Sequence, residues 1–90
     1  MVEIHCVVTG KVQGVRYRDY VQRAAAELGL FGWIKNRADG SVEVCAQGIP
    51  DDLKLFVEYL HEGSLQAKVD AVATDWRSVR APYHDFSILY

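Results

Sequence analysis

The chain predicts an α+β fold, with two helices on one face of an antiparallel sheet in the order β-α-β-β-α-β and a short strand at the end. Three observations carry this expectation. Apolar residues alternate with polar ones in the strand-length stretches. In two other stretches they recur at i, i+3, i+4, i+7, the spacing of a one-sided helix. Each helical stretch also falls between two strands, the pattern of split βαβ units. Ninety residues, half of them apolar and 24% charged, are ordinary for one small soluble domain, expected to span 1–90.

In the first strand Val2, Ile4, Cys6 and Val8 alternate with Glu3, His5 and Val7, leaving one face richer in apolar groups. The run Thr9-Gly10-Lys11-Val12-Gln13-Gly14-Val15-Arg16-Tyr17-Arg18 follows. From Arg18 the period changes, with Val21, Ala24, Ala25 and Leu28 on one helical stripe and Gly29 where a helix would end. The second strand reads Leu30 to Arg37, the pair Asp39-Gly40 signals a turn, and Ser41 to Gln47 completes a hairpin. Pro50 suits the first position of a second helix, and Asp51 and Asp52 suit its positive end. Leu53, Phe56, Val57 and Leu60 form its stripe, and Gly63 closes it. A fourth strand is expected over 67–79, a loop at Pro82-Tyr83-His84-Asp85, and a short edge strand from Phe86 to Tyr90. Right-handed crossovers then set the strand order 4-1-3-2, with the extra strand at an edge: the ferredoxin-like plan. So widespread a fold says little about function.

Composition excludes several classes. The formal net charge is −2, and no run of like charges exceeds a pair, which argues against a nucleic-acid partner. No apolar stretch approaches the ~18 residues of a membrane span. Met1 to His5 has neither a basic n-region nor a cleavage site, so no targeting segment is seen and a cytoplasmic protein is expected. No surplus apolar stripe calls for a second subunit, and a monomer is expected. Cys6 and Cys45 match no zinc or redox spacing. Parity sends Cys6 toward the helices and Cys45, with Glu43 and Gln47, to the other face, so no disulfide is expected.

The chemistry concentrates between the first strand and the first helix. Gly10 and Gly14 stand four apart, ahead of the basic residue Arg18. Glycine admits positive φ and close approach of a ligand to the main chain. Successive N–H groups at a helix start can then converge on an anion, most often phosphate. Glycines serving only a tight turn are the plainer alternative, and a solvated arginine is the plainer reading of Arg18. A cation at the positive end of a helix costs about 0.3–1 kcal/mol, and a bound anion reverses that sign. In the expected topology Asn36, at the end of the second strand, reaches the same sheet edge. Strands ~4.8 Å apart leave about 10 Å between the two strand ends, enough for one tetrahedral anion and a water. His5, His61 and His84 share no metal-ligand spacing, and neither a metal nor a cofactor is expected.

The run Gly10-x-Val12-Gln13-Gly14-Val15-x-Tyr17-Arg18, the run Gly32-Trp33-x-x-Asn36-x-x-Asp39-Gly40-x-Val42 and the closing Asp85-Phe86-x-Ile88 together resemble the small acylphosphatases over nearly the whole chain. Ser64 departs from the resemblance, since many relatives carry proline after the glycine, and it is expected to lie remote from the site. The resemblance implies metal-independent hydrolysis of the carboxyl–phosphate anhydride of a small-molecule acyl phosphate. It implies that the amides of Gln13, Gly14, Val15, Arg16, Tyr17 and Arg18, with the Arg18 side chain, bind the phosphoryl group, and that Asn36 positions the attacking water. Three rivals share the fold: a non-catalytic anion-binding module, an RNA-binding domain and a domain of a larger carbamoyl-transfer enzyme. The second needs basic and aromatic groups on the open sheet face, where Glu3, His5, Val7, Glu43, Cys45 and Gln47 are expected instead. A chain that begins at Met1 and closes on its own last strand speaks against the third.

Overall fold

The computed structural model describes all of residues 1–90. Its elements are β1 (Val2–Lys11), α1 (Tyr17–Glu27), β2 (Phe31–Asn36), β3 (Val42–Gly48), α2 (Pro50–Glu62), β4 (Lys68–Arg77) and β5 (Phe86–Leu89). The five strands form one sheet in the order β4-β1-β3-β2-β5. β1 to β4 are joined by antiparallel pairs, as the sequence predicts, whereas β5 runs parallel to β2 and makes the sheet mixed.

One core of buried residues joins sheet to helices. Ile4, Cys6 and Val8 of β1, Ile34 of β2 and Val42, Val44 and Ala46 of β3 face Val21, Ala24 and Ala25 of α1 and Leu53, Phe56 and Leu60 of α2. These are the inward positions of the period-two and period-3.6 patterns. α2 starts with Pro50 in its first turn and ends at Gly63, whose φ of 73° few side chains adopt.

Two expectations need correction. β1 does not end before the glycine run. It continues through Gly10 and Lys11 beside β4, with a register shift between Thr9 and Gly10. At that bulge a Cβ on Gly10 would fall 2.2 Å from the Lys68 carbonyl oxygen. Gly10 therefore serves close strand approach and not the loop itself. The second correction concerns the sheet face away from the helices. Parity places Glu3, Cys45 and Gln47 there correctly, yet all three are buried. The segment after β4 folds back over them: Gln47 Nε2 donates to Ala81 O at 2.9 Å, and the Tyr83 N–H donates to Gln47 Oε1 at 3.0 Å. Cys6 and Cys45 are both free. Cys6 lies on the core side near Thr74, and Cys45 lies beside Arg77.

Candidate active site

Between β1 and α1 the chain changes direction over Val12 to Arg16. Alternation anchors this loop: Val12, Val15 and Tyr17 are buried, while Gly14 and Arg16 are exposed. Gly14 has φ 72°, and Arg16, the N-cap of α1, has φ 60° and ψ 24°. Positive φ on both sides of Val15 is the kind of backbone from which anion-binding nests are built.

The backbone N–H groups of Gln13, Gly14, Val15, Arg16, Tyr17 and Arg18 find no backbone acceptor in the protein. The start of α1 also has no side-chain cap. Helix starts normally satisfy such donors with a Ser, Thr, Asp or Asn oxygen. Here they stand unpaired beside the start of α1, the positive end of a helix dipole, where an anion is able to satisfy such donors. Three ties hold the loop from outside. Gln13 Nε2 donates to Arg37 O at 2.8 Å and to Ser41 O at 2.9 Å. Tyr17 Oη donates to Leu60 O at 2.8 Å, and burial pushes its phenol well above the ordinary value, so it stays a neutral donor. Ser64 Oγ donates to Val15 O at 2.9 Å.

Arg18 lies in the first turn of α1, one residue after the helix begins. Its Nη1 donates to Leu89 O at 3.3 Å, and its guanidinium carbon lies 4.8 Å from the centre of the Tyr90 ring. One of five N–H donors is thereby used. Leu89 is laddered to Lys35, the neighbour of Asn36, which is exposed at the end of β2. β5 thus carries the Arg18 contact to the strand end that bears Asn36. Gln13 ties the loop to the hairpin just beyond it. All the site residues expected from sequence gather at this end of the sheet.

Sequence reasoning missed the side-chain role of Gln13, the contact of Arg18 with the last two residues, and the Ser64 bond. Ser64 needs correction: expected to be remote from the site, it bonds the loop at Val15 O, because the turn after α2 packs against the start of α1.

The acylphosphatase family model matches residues 4–88. The chain belongs to the acylphosphatase family. An acylphosphatase of Marinobacter nauticus is 46% identical over 82 residues, covering 91% of this chain and 89% of that protein. The crystal structure of the Bacillus subtilis acylphosphatase superposes with a TM-score of 0.97 at 40% identity and covers both chains fully. An acylphosphatase from Coxiella burnetii gives 0.93 at 42% identity, covering 98% of this chain and 92% of the other. Hydrolysis of acyl phosphates is the known function of this family, and this acylphosphatase is an acylphosphate phosphohydrolase.

Proposed function

We propose that this acylphosphatase works by direct in-line attack of water on phosphorus, without a metal, with the phosphoryl group held by the amides of Gln13 to Arg18 and by the Arg18 guanidinium. The observation that carries this reading is the row of unpaired N–H groups at an uncapped helix start. The equatorial oxygens of a transferring phosphoryl group carry the charge that such donors and a guanidinium neutralise. Asn36 stands at the neighbouring strand end, where its carboxamide oxygen can accept a hydrogen bond from the attacking water and fix its line of approach.

The water oxygen bonds to phosphorus as the bond from phosphorus to the acyl oxygen breaks. The bonding pair leaves on the carboxylate, and the water proton passes to solvent or to the phosphate formed. The conjugate acid of the leaving carboxylate has a pKa of ~4, so it departs unprotonated and needs no general acid. An alkyl phosphate expels a much stronger base and would be a poor substrate.

The decisive experiment is acetyl phosphate hydrolysis in EDTA, comparing the parent with Arg18→Gln. Full activity of the parent and near-complete loss in the variant are expected. Loss of the parent's activity in EDTA, or equal turnover of an alkyl phosphate, would overturn the mechanism. We further read the protein as a cytoplasmic monomer. No helix is long and apolar enough to cross a membrane.

A further inference from the structure

Ser64 follows α2 at the start of the connection to β4, and its hydroxyl spans to the loop at Val15 O, 2.9 Å away. We infer that Ser64 is a positioning residue: it latches the Val15–Arg16 peptide in the orientation that aims the Arg16 N–H into the phosphate cradle. The inference deepens the proposed mechanism and rests on the reading that the amides of 13–18 bind the phosphoryl group.

A peptide unit is planar and trans, so its C=O and the N–H of the next residue point in opposite directions. A Val15 carbonyl drawn toward Ser64 therefore sends the Arg16 N–H the other way. The same unit has a second orientation, reached by rotating the peptide plane through changes in ψ of Val15 and φ of Arg16. In that orientation the Val15 oxygen would face the cradle and repel an anion, and one donor would be lost.

Backbone preference alone favours the second orientation. Arg16, at φ 60°, is the one non-glycine residue in the chain with positive φ. An L side chain resists that region, and a flip returning φ to negative values would relieve it. The observed orientation needs a compensating contact. No backbone N–H reaches Val15 O, so the Ser64 hydroxyl is what holds it. The hydroxyl is itself firmly based. Gly63 N–H donates to Tyr59 O at 3.0 Å, and Tyr17 Oη pins the preceding turn of α2 through Leu60 O. Ser64 is only partly exposed, which limits competition from water.

The test is a double-mutant cycle read by acetyl phosphate kinetics and by competitive inhibition with inorganic phosphate. Ser64→Ala is expected to lower kcat/KM and weaken phosphate inhibition by about 3- to 10-fold, the worth of one hydrogen bond. Ser64→Thr, which keeps the hydroxyl, should recover most of both. In an Arg16→Gly background positive φ is no longer strained, and Ser64→Ala should then cost less than about twofold. An unchanged Ser64→Ala enzyme, or an equal loss in both backgrounds, would overturn the latch. Those results would leave the phosphate reading standing if the parent is inhibited by phosphate and Arg18→Gln is inactive. A parent indifferent to phosphate, or an active Arg18→Gln variant, would sink the phosphate reading and the latch with it.

Discussion

The two ends of the sheet treat polar groups in opposite ways. At the N-terminal end of β1 they are paired off. Glu3 accepts from Gln47 Nε2 at 2.8 Å and from Arg77 Nε, and Gln47 spends both ends of its amide on Glu3, Ala81 and Tyr83. Burial raises the Glu3 carboxyl, but the Gln47 hydrogen bond and Arg77 outweigh it and hold the group below its ordinary value. At the other end six backbone donors in a row have no backbone partner. The largest concavity, about 520 Å³, lies at the paired end, lined by Glu3, Arg77, Ser78, Arg80, Ala81 and Tyr83. The Arg77 charge there is already met by Glu3, and Arg80 is a solvent-exposed cation with no ion-pair partner. On the proposed mechanism, catalytic capacity follows unmet donors and not volume. The satisfied end should therefore govern stability and the unsatisfied end rate.

Substitutions at the two ends should separate accordingly. The largest effect is expected for Arg18→Gln: about 10²–10³-fold in kcat/KM, or ~3–4 kcal/mol of transition-state stabilisation, with the melting temperature nearly unchanged. Asn36→Ala should lower kcat by about 10²-fold, as for one lost transition-state hydrogen bond, while inorganic phosphate inhibits as before. A matching fall in phosphate affinity would mean that Asn36 binds the anion and does not position water.

Gln47→Leu should do the reverse. It leaves Ala81 O and the Tyr83 N–H without a partner and removes one of the two donors to the Glu3 carboxylate, Arg77 remaining, at a cost of about 2–3 kcal/mol, or roughly 10–20 °C in Tm for a domain of this size. Turnover of the folded fraction should stay within about twofold of the parent. A Gln47→Leu protein that melts normally but is inactive would break the division between the ends. Tyr17→Phe belongs to both, since Tyr17 closes the loop and bonds α2. It should cost about 1–2 kcal/mol of stability through the unpaired Leu60 carbonyl, with a modest rise in the phosphate inhibition constant.

The smallest expected effect is in the acid limb of stability. Hydrogen bonding from His5, at 2.6 Å, and the charges of His5 and Lys35 hold the Glu43 carboxyl below its ordinary value, as Gln47 and Arg77 do for Glu3. A carboxyl lowered in the fold adds stability above its unfolded pKa of ~4.3 and loses it as pH falls through the folded value. Denaturant midpoints of the parent should therefore fall below about pH 4.3, and Glu43→Gln should flatten that fall. A parallel fall in both proteins would remove Glu43 from the cause.

Most of the fold was legible because the core repeats at the two backbone periods. Ile4, Cys6 and Val8 on one strand, and Leu53, Phe56 and Leu60 on one helix, announce both element type and buried face. Arg18 and Asn36 were legible through topology, since two strands running the same way end at one edge. The segment 78–85 was not. It carries no period, and its burial of Glu3, Cys45 and Gln47 depends on contacts more than 30 residues apart in sequence. The reach of β1 past Gly10 was also hidden. A glycine placed for close strand approach reads the same as one placed for a turn, and only the Lys68 carbonyl beside it tells them apart. Gln13 shows the same limit: its position in the loop suggested its amide, whereas its side chain ties the loop to Arg37 and Ser41.

The claim that the unpaired amides form the phosphate cradle is tested most directly by following backbone ¹H–¹⁵N shifts while inorganic phosphate is added. Large, saturable downfield shifts confined to residues 13–18, together with the Arg18 side chain, are expected, and Gln47, Ala81 and Tyr83 should not move. Saturable shifts at Arg77, Arg80 and Tyr83 with the loop amides unmoved would contradict it.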